Sequence, residues 1–131
     1  MIGLDTNVLV RFLVEDDKAQ SAKAARRVRR TVARNETLFV SDIVLCETVW
    51  VLISAYRVSR AEVGHLLGQL LNAAHLTFRN VDELLRALAA FKAGRGDFAD
   101  YLIREQARSA GCTEVATFDR ALLKEKGFVS V

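Results

Sequence analysis

Short apolar runs alternating with longer stretches of helical periodicity constrain this chain more than any other feature. Strand candidates stand at residues 1–4, 38–40, 75–78, 115–117 and 128–129. Between them the spacing predicts helices over 7–14, 18–34, 60–72 behind Ser59, 82–93, 98–110 and 119–126, with another through about Ala55 behind Ser41 or Asp42. Gly111 and Gly127 stand just past two of these ends, where glycine closes a helix without a Cβ penalty. Strands separated by helices of this length imply right-handed crossovers, and hence a parallel sheet covered on both faces.

Size and composition narrow the rest. The 131 residues show no repeat, linker or low-complexity tract, so residues 1–131 are expected to form one domain. At this size folding buries roughly two-thirds of the unfolded surface, and no disulfide or metal is needed for stability. A chain 51% hydrophobic and 27% charged, without proline, is neither disordered nor collagen-like. No run nears the ~20 apolar residues of a membrane span, because Glu47 and Ser54 interrupt the longest ones. The start Met1-Ile2-Gly3-Leu4-Asp5 has no basic region or cleavage site, which predicts a cytoplasmic protein. Cys46 and Cys112 lack CxxC spacing, so reduced thiols fit better than a disulfide framework, and His65 and His75 lack metal-ligand spacing, so neither a zinc site nor a Cys/His nucleophile is expected. The net charge of +3 leaves 19 basic residues against 16 acidic ones, a weak pull toward anionic partners.

The positions of the acids carry more. In parallel α/β sheets, ligands bind at the carboxyl ends of the strands, and Asp5 and Asp119 fall there. Each could equally cap the helix that follows. Glu47 sits in Ile43-Val44-Leu45-Cys46-Glu47-Thr48-Val49-Trp50-Val51-Leu52-Ile53, among side chains that want burial, and a buried carboxylate needs a partner, a proton or a metal. The alternative is a solvated stripe shared with Ser54. Asp97 and Asp100, three apart at a helix start, share a face; a helix-dipole position and a pair with Arg104 would also explain them. Carboxylates brought to one end of a sheet repel unless a cation neutralises them, and oxygen donors without His or Cys point to magnesium or manganese. Such an ion polarises a phosphoryl oxygen and activates a water, so the residues point to phosphodiester hydrolysis.

The motifs Leu4-Asp5-Thr6-Asn7, Cys46-Glu47-Thr48-Val49-Trp50, Asp97-Phe98-Ala99-Asp100-Tyr101-Leu102-Ile103 and Thr117-Phe118-Asp119, in this order, resemble those of the PIN-domain ribonucleases, and among them the VapC toxins of type II toxin–antitoxin pairs. The resemblance spans nearly the whole chain. It implies a three-layer α/β/α sandwich with a central parallel sheet and an acidic, magnesium-dependent site (manganese being the alternative ion) that cuts RNA by in-line attack of water. It implies Asp5, Glu47, Asp100 and Asp119 as the acidic positions, with Asp97 as an additional acid supporting Asp100. Asp5 and Asp100 would be the principal metal ligands, Glu47 and Asp119 would hold metal waters or a second ion, and Thr6, Asn7 and Thr117 would support them. Its implied partners are an RNA substrate, a cognate VapB-type antitoxin lying over the acidic groove, and a second copy in a homodimer.

Other signals are read beside this one. Seven basic residues lie between Lys18 and Arg34; Arg26, Arg27 and Arg30 among them, with Arg11 and Arg95, are candidates for RNA contacts, the alternatives being a solvated face or ion pairs. Gly94-Arg95-Gly96-Asp97-Phe98-Ala99 matches G-x-G-x-x-A, but a helix precedes it and Asp97 would repel a pyrophosphate, so no dinucleotide site is expected. Trp50, Phe91, Phe98 and Tyr101 are expected in the core or a subunit interface rather than stacked on bases. A metal- or RNA-binding module without turnover is the competing reading, and a receiver-type phosphoacceptor is a poorer one because the first strand ends in a single Asp5.

Overall fold

In the computed structural model, which describes residues 1–131, the chain divides into two units, Met1–Arg79 and Asn80–Val131. The first contains β1 (Ile2–Gly3), α1 (Thr6–Leu13), α2 (Lys18–Ala33), β2 (Leu38–Phe39), α3 (Asp42–Ser54), α4 (Arg60–Leu71) and β3 (Leu76–Thr77). Its strands are parallel in the order β1-β2-β3, with Leu38 opposite both Ile2 and Leu76. Bonds from the Leu4 N–H to the Phe39 carbonyl (2.8 Å) and from the Val40 N–H to the Thr77 carbonyl (2.9 Å) carry the ladder one residue further. Each strand therefore delivers its chain straight into a capped helix.

The caps are local and legible. Asp5, Asp17, Ser41 and Ser59 each accept a backbone N–H of the helix they precede, satisfying donors that the first turn leaves orphaned. In the core of this unit, Leu9 and Val10 of α1, Leu38 and Val40 around β2, Leu45 and Leu52 of α3, and Val63 and Leu67 of α4 are all buried. α1 packs on both α2 and α3, and α3 packs on α4.

The second unit contains α5 (Val81–Ala93), α6 (Phe98–Ser109), β4 (Val115–Thr117) and β5 (Phe128–Ser130), with β4 and β5 parallel and Val115 opposite Phe128. Leu84, Leu88 and Phe91 of α5 bury against an α6 face made of Phe98, Tyr101 and Leu102; the Phe91 and Phe98 rings meet edge to face at 6.3 Å. Gly94 and Gly96 serve this packing, since a Cβ on Gly94 would run into the Tyr101 hydroxyl and the Glu125 carboxylate, and one on Gly96 would strike Leu122. The G-x-G spacing thus makes room for a tyrosine.

The α/β character and the parallel strands agree with the sequence. Two expectations change, and one further acid stands out. The helix predicted over 119–126 is only a single 3₁₀ turn, Leu122–Lys124, because the Asp119 side chain takes the Ala121 N–H at 2.9 Å and folds the backbone into an Asx turn. Trp50 is not in the core: it is 69% exposed, whereas Phe91, Phe98 and Tyr101 are buried as expected. Glu105, not singled out from sequence, is the most enclosed acid, 2% exposed and bonded to Arg86 (3.1 Å), Arg108 (3.0 Å) and Arg104 (3.5 Å). No helix is long and apolar enough to cross a membrane.

Candidate active site

Asp5 is delivered by β1 and turned outward by the start of α1. Its Oδ1 accepts the Thr6 N–H at 2.8 Å, so the residue caps the helix with one oxygen and leaves the other free. Capping and ligand binding are therefore compatible at this position. One residue on, the buried Thr6 donates its hydroxyl to Glu47 Oε1 at 3.0 Å across 41 residues of sequence. Asn7, in the same turn, is exposed.

Glu47 is not the buried carboxylate that its sequence neighbourhood suggested. It is exposed on α3, the solvated-stripe alternative, and Ile43 and Trp50, one turn before and nearly one turn after, are exposed with it. The reason is compositional. α3 is apolar around its whole circumference, so even its outward positions carry hydrophobic side chains, and sequence pattern alone cannot tell the two faces apart. Leu45, Thr48, Val49 and Leu52 mark the buried face. Behind Glu47, burial and then the Asp42 charge push the Cys46 thiol up to about 11, which leaves it an inert packing group, whereas Cys112 is exposed.

In the second unit, α6 opens with a capping box formed by Asp97 and Asp100; the Asp97 N–H donates to Asp100 Oδ2 at 2.9 Å. Asp97 is exposed and Asp100 half-buried. Partial burial raises the Asp100 carboxyl above the ordinary range, the Asp97 N–H bond pulls it back, and the negative charges of Asp97, Asp119 and Glu125 push it up again. Asp119 is exposed after β4, its N–H held by Thr117 Oγ1 at 3.0 Å. The pair of Asp100 with Arg104, the alternative explanation for this acid, does not form. Arg104 instead joins Glu105, donates to the Lys126 carbonyl at 2.9 Å, and stacks on the Tyr101 and Phe128 rings.

Within either unit, no group of three or more His, Cys, Asp or Glu side chains stands close enough to enclose a metal ion. The chemistry of the donors nevertheless suits a hard cation. The free atoms are carboxylate oxygens, and Asp100 is held in a field of like charge that a divalent ion would relieve. The basic candidates differ among themselves. Arg11 is engaged by Asp16 (2.8 Å), the Tyr56 hydroxyl (2.7 Å) and Gln20 (2.7 Å), while Arg95 is exposed in the turn before α6. Arg26, Arg27 and Arg30 are exposed on α2.

Comparison with known proteins matches this sequence to one family. The chain is 28% identical over 129 residues to the VapC ribonuclease of Aquifex aeolicus (strain VF5), an alignment covering 98% of this chain and 93% of that protein. The PIN-domain family model matches residues 2–128, from the first strand through the start of the last. A match that takes in both units and every acidic position described above settles the family: the chain belongs to the PIN-domain family.

Proposed function

We propose that this protein is a magnesium-dependent endoribonuclease, the toxin of a type II toxin–antitoxin pair, held inactive by a cognate VapB-type antitoxin. The observation that carries the reading is the Asp100 carboxylate, raised by burial and by the charges of Asp97 and Asp119 at the start of α6. Such crowding is costly unless a cation is bound, and PIN-domain membership supplies the class of chemistry. The name of the Aquifex relative, VapC ribonuclease, supports RNA as the substrate; the VapB-type partner is the one the resemblance in sequence implies. On this reading residues 1–131 form one PIN domain working in the cytoplasm.

Asp5 and Asp100 would hold the ion, magnesium or alternatively manganese, with Glu47 and Asp119 contacting its waters or a second ion. When bound, the ion would polarise the scissile phosphate and activate a water. The protein's own groups do the positioning. Thr6 fixes one oxygen of Glu47, Thr117 fixes the backbone at Asp119, and the Asp97 N–H fixes one oxygen of Asp100. Asp97 supports Asp100, and Asn7 flanks Asp5. The exposed Ile43 and Trp50 beside Glu47 supply apolar surface that a homodimer would cover.

The test is cleavage of RNA by purified, antitoxin-free protein. Expected are magnesium stimulation, arrest by EDTA, and loss of at least a hundredfold in rate in Asp5→Ala and Asp100→Ala. Folded variants that bind RNA unchanged while the parent protein never cuts it would show a binding module without turnover.

A further inference from the structure

A cavity of about 470 Å³ opens between β1, α1 and α2. Its walls are apolar at Ile2, Leu4, Val8 and Ala24, and Asn7 and Gln20 offer polar groups. Lys23 and Arg27 line it as well, and the same two side chains join Arg26 and Arg30 around a second depression of about 220 Å³. The cavity and the depression are thus one continuous surface with two shared cations.

The four cations stand at i, i+3, i+4 and i+7, one stripe along α2 roughly 10 Å long. None of their side chains forms an ion pair or hydrogen bond, whereas Arg11, which also lines the cavity, is paired with Asp16, and Arg79, Arg86, Arg104 and Arg108 elsewhere all have acidic partners. The sixteen residues of α2 include no acid at all. A helix face that only repels itself is stabilised by a polyanion laid along it. The cavity volume lies within the range of small-molecule pockets, and apolar walls with a few polar groups suit a flat heteroaromatic ring. Asn7 is two residues from Asp5, so the cavity borders the turn that carries the first candidate ligand.

We infer that this surface is a substrate subsite for single-stranded RNA, in which one unstacked base enters the cavity and the adjoining phosphates lie on Lys23, Arg26, Arg27 and Arg30. The inference rests on the ribonuclease reading for its choice of polyanion, but its test does not need turnover. Binding of a fluorescein-labelled single-stranded RNA 12-mer and of inorganic polyphosphate is measured in EDTA for the parent and three variants. Lys23→Ala/Arg27→Ala is expected to weaken both ligands at least tenfold, and to lower the slope of log K against log salt for RNA by about 1.4, as for two lost phosphate contacts. Ala24→Leu, which fills the cavity without changing charge, is expected to weaken RNA at least threefold and leave polyphosphate unchanged; the unchanged arm also reports an intact fold. Arg29→Ala/Arg34→Ala, on α2 and at its C-cap but away from both depressions, is expected to stay within twofold of the parent.

Equal losses in the control and stripe variants would reduce the effect to diffuse charge and overturn the inference. Ala24→Leu binding RNA like the parent would remove the base from the cavity. Variants that bind RNA normally but lose a co-purifying protein would make the surface a protein-docking site, again overturning it. Absence of magnesium-dependent cleavage in the parent, with the binding pattern intact, would count against the nuclease reading alone.

Discussion

Asp100 combines two roles that pull in opposite directions. It accepts the Asp97 N–H and so helps start α6, yet it ionises in a half-buried place near other carboxylates. Its pKa is raised in the folded chain, so the sign of the linkage follows directly. At pH below the ordinary carboxylate range the group is protonated in both folded and unfolded states and costs nothing. As the pH rises the unfolded chain ionises first, stability is lost, and the penalty is complete once the pH exceeds the folded value. Asp100→Asn keeps an oxygen for the Asp97 N–H and removes the charge. In EDTA its melting temperature is expected to exceed that of the parent at pH 7 and to match it near pH 3, as scanned by differential fluorimetry. A melting temperature below the parent's at pH 7 would contradict this account. The sequence showed that Asp97 and Asp100 share a face; that one shapes the other's ionisation required their hydrogen bond and shared burial.

The helices differ in how much of their environment their own sequence reveals. α6 is amphipathic, and its buried face, Phe98, Tyr101, Leu102 and Glu105, follows helical spacing. Within it Tyr101 joins three pieces of chain, its hydroxyl accepting the Gly96 N–H at 2.8 Å and donating to Glu125. Tyr101→Phe would leave that buried N–H without its acceptor, and a loss of about 1–2 kcal/mol on urea unfolding is expected. α3 is the contrary case. Apolar on nearly every side, it gave no pattern from which the exposure of Trp50 could be read, and only Ser54, seven residues on, pointed to that of Glu47. If the bare apolar residues of α3 meet a second copy, Trp50→Ser will move the protein to the monomer in sedimentation velocity at concentrations where the parent is dimeric; an unchanged distribution would place the dimer contact elsewhere.

At the scale of the whole molecule the charge is unevenly distributed. Met1–Arg79 holds 11 basic and 8 acidic residues, Asn80–Val131 holds 8 of each, and the excess of +3 therefore belongs entirely to the first unit. α2 supplies most of it. The candidate acids are shared between the units: Asp5 and Glu47 belong to the first, Asp97, Asp100 and Asp119 to the second. On the proposed ligand set magnesium binds the folded protein and not the unfolded chain. Saturation at a hundred times its dissociation constant would then stabilise the protein by about 2.7 kcal/mol. Asp5→Asn and Asp100→Asn are each expected to abolish the magnesium-induced rise in melting temperature; a rise that survives either change would remove that residue from the ligand set.

What the sequence determined by itself is local or periodic: the capped starts of α1, α3 and α4, the glycine just past α6, the short β runs and the order of the acidic motifs. These follow from backbone hydrogen bonds and side-chain spacing within a few residues, so they need no knowledge of the rest of the chain. Tertiary structure alone decided which side of α3 faces water, that Thr6 holds Glu47 across 41 residues, and that Glu105 is buried where Arg86 of α5 meets it. Burial depends on what packs from the opposite side, and a carboxylate's partners come from chain far away in sequence. Neither is written in the residue's own neighbourhood.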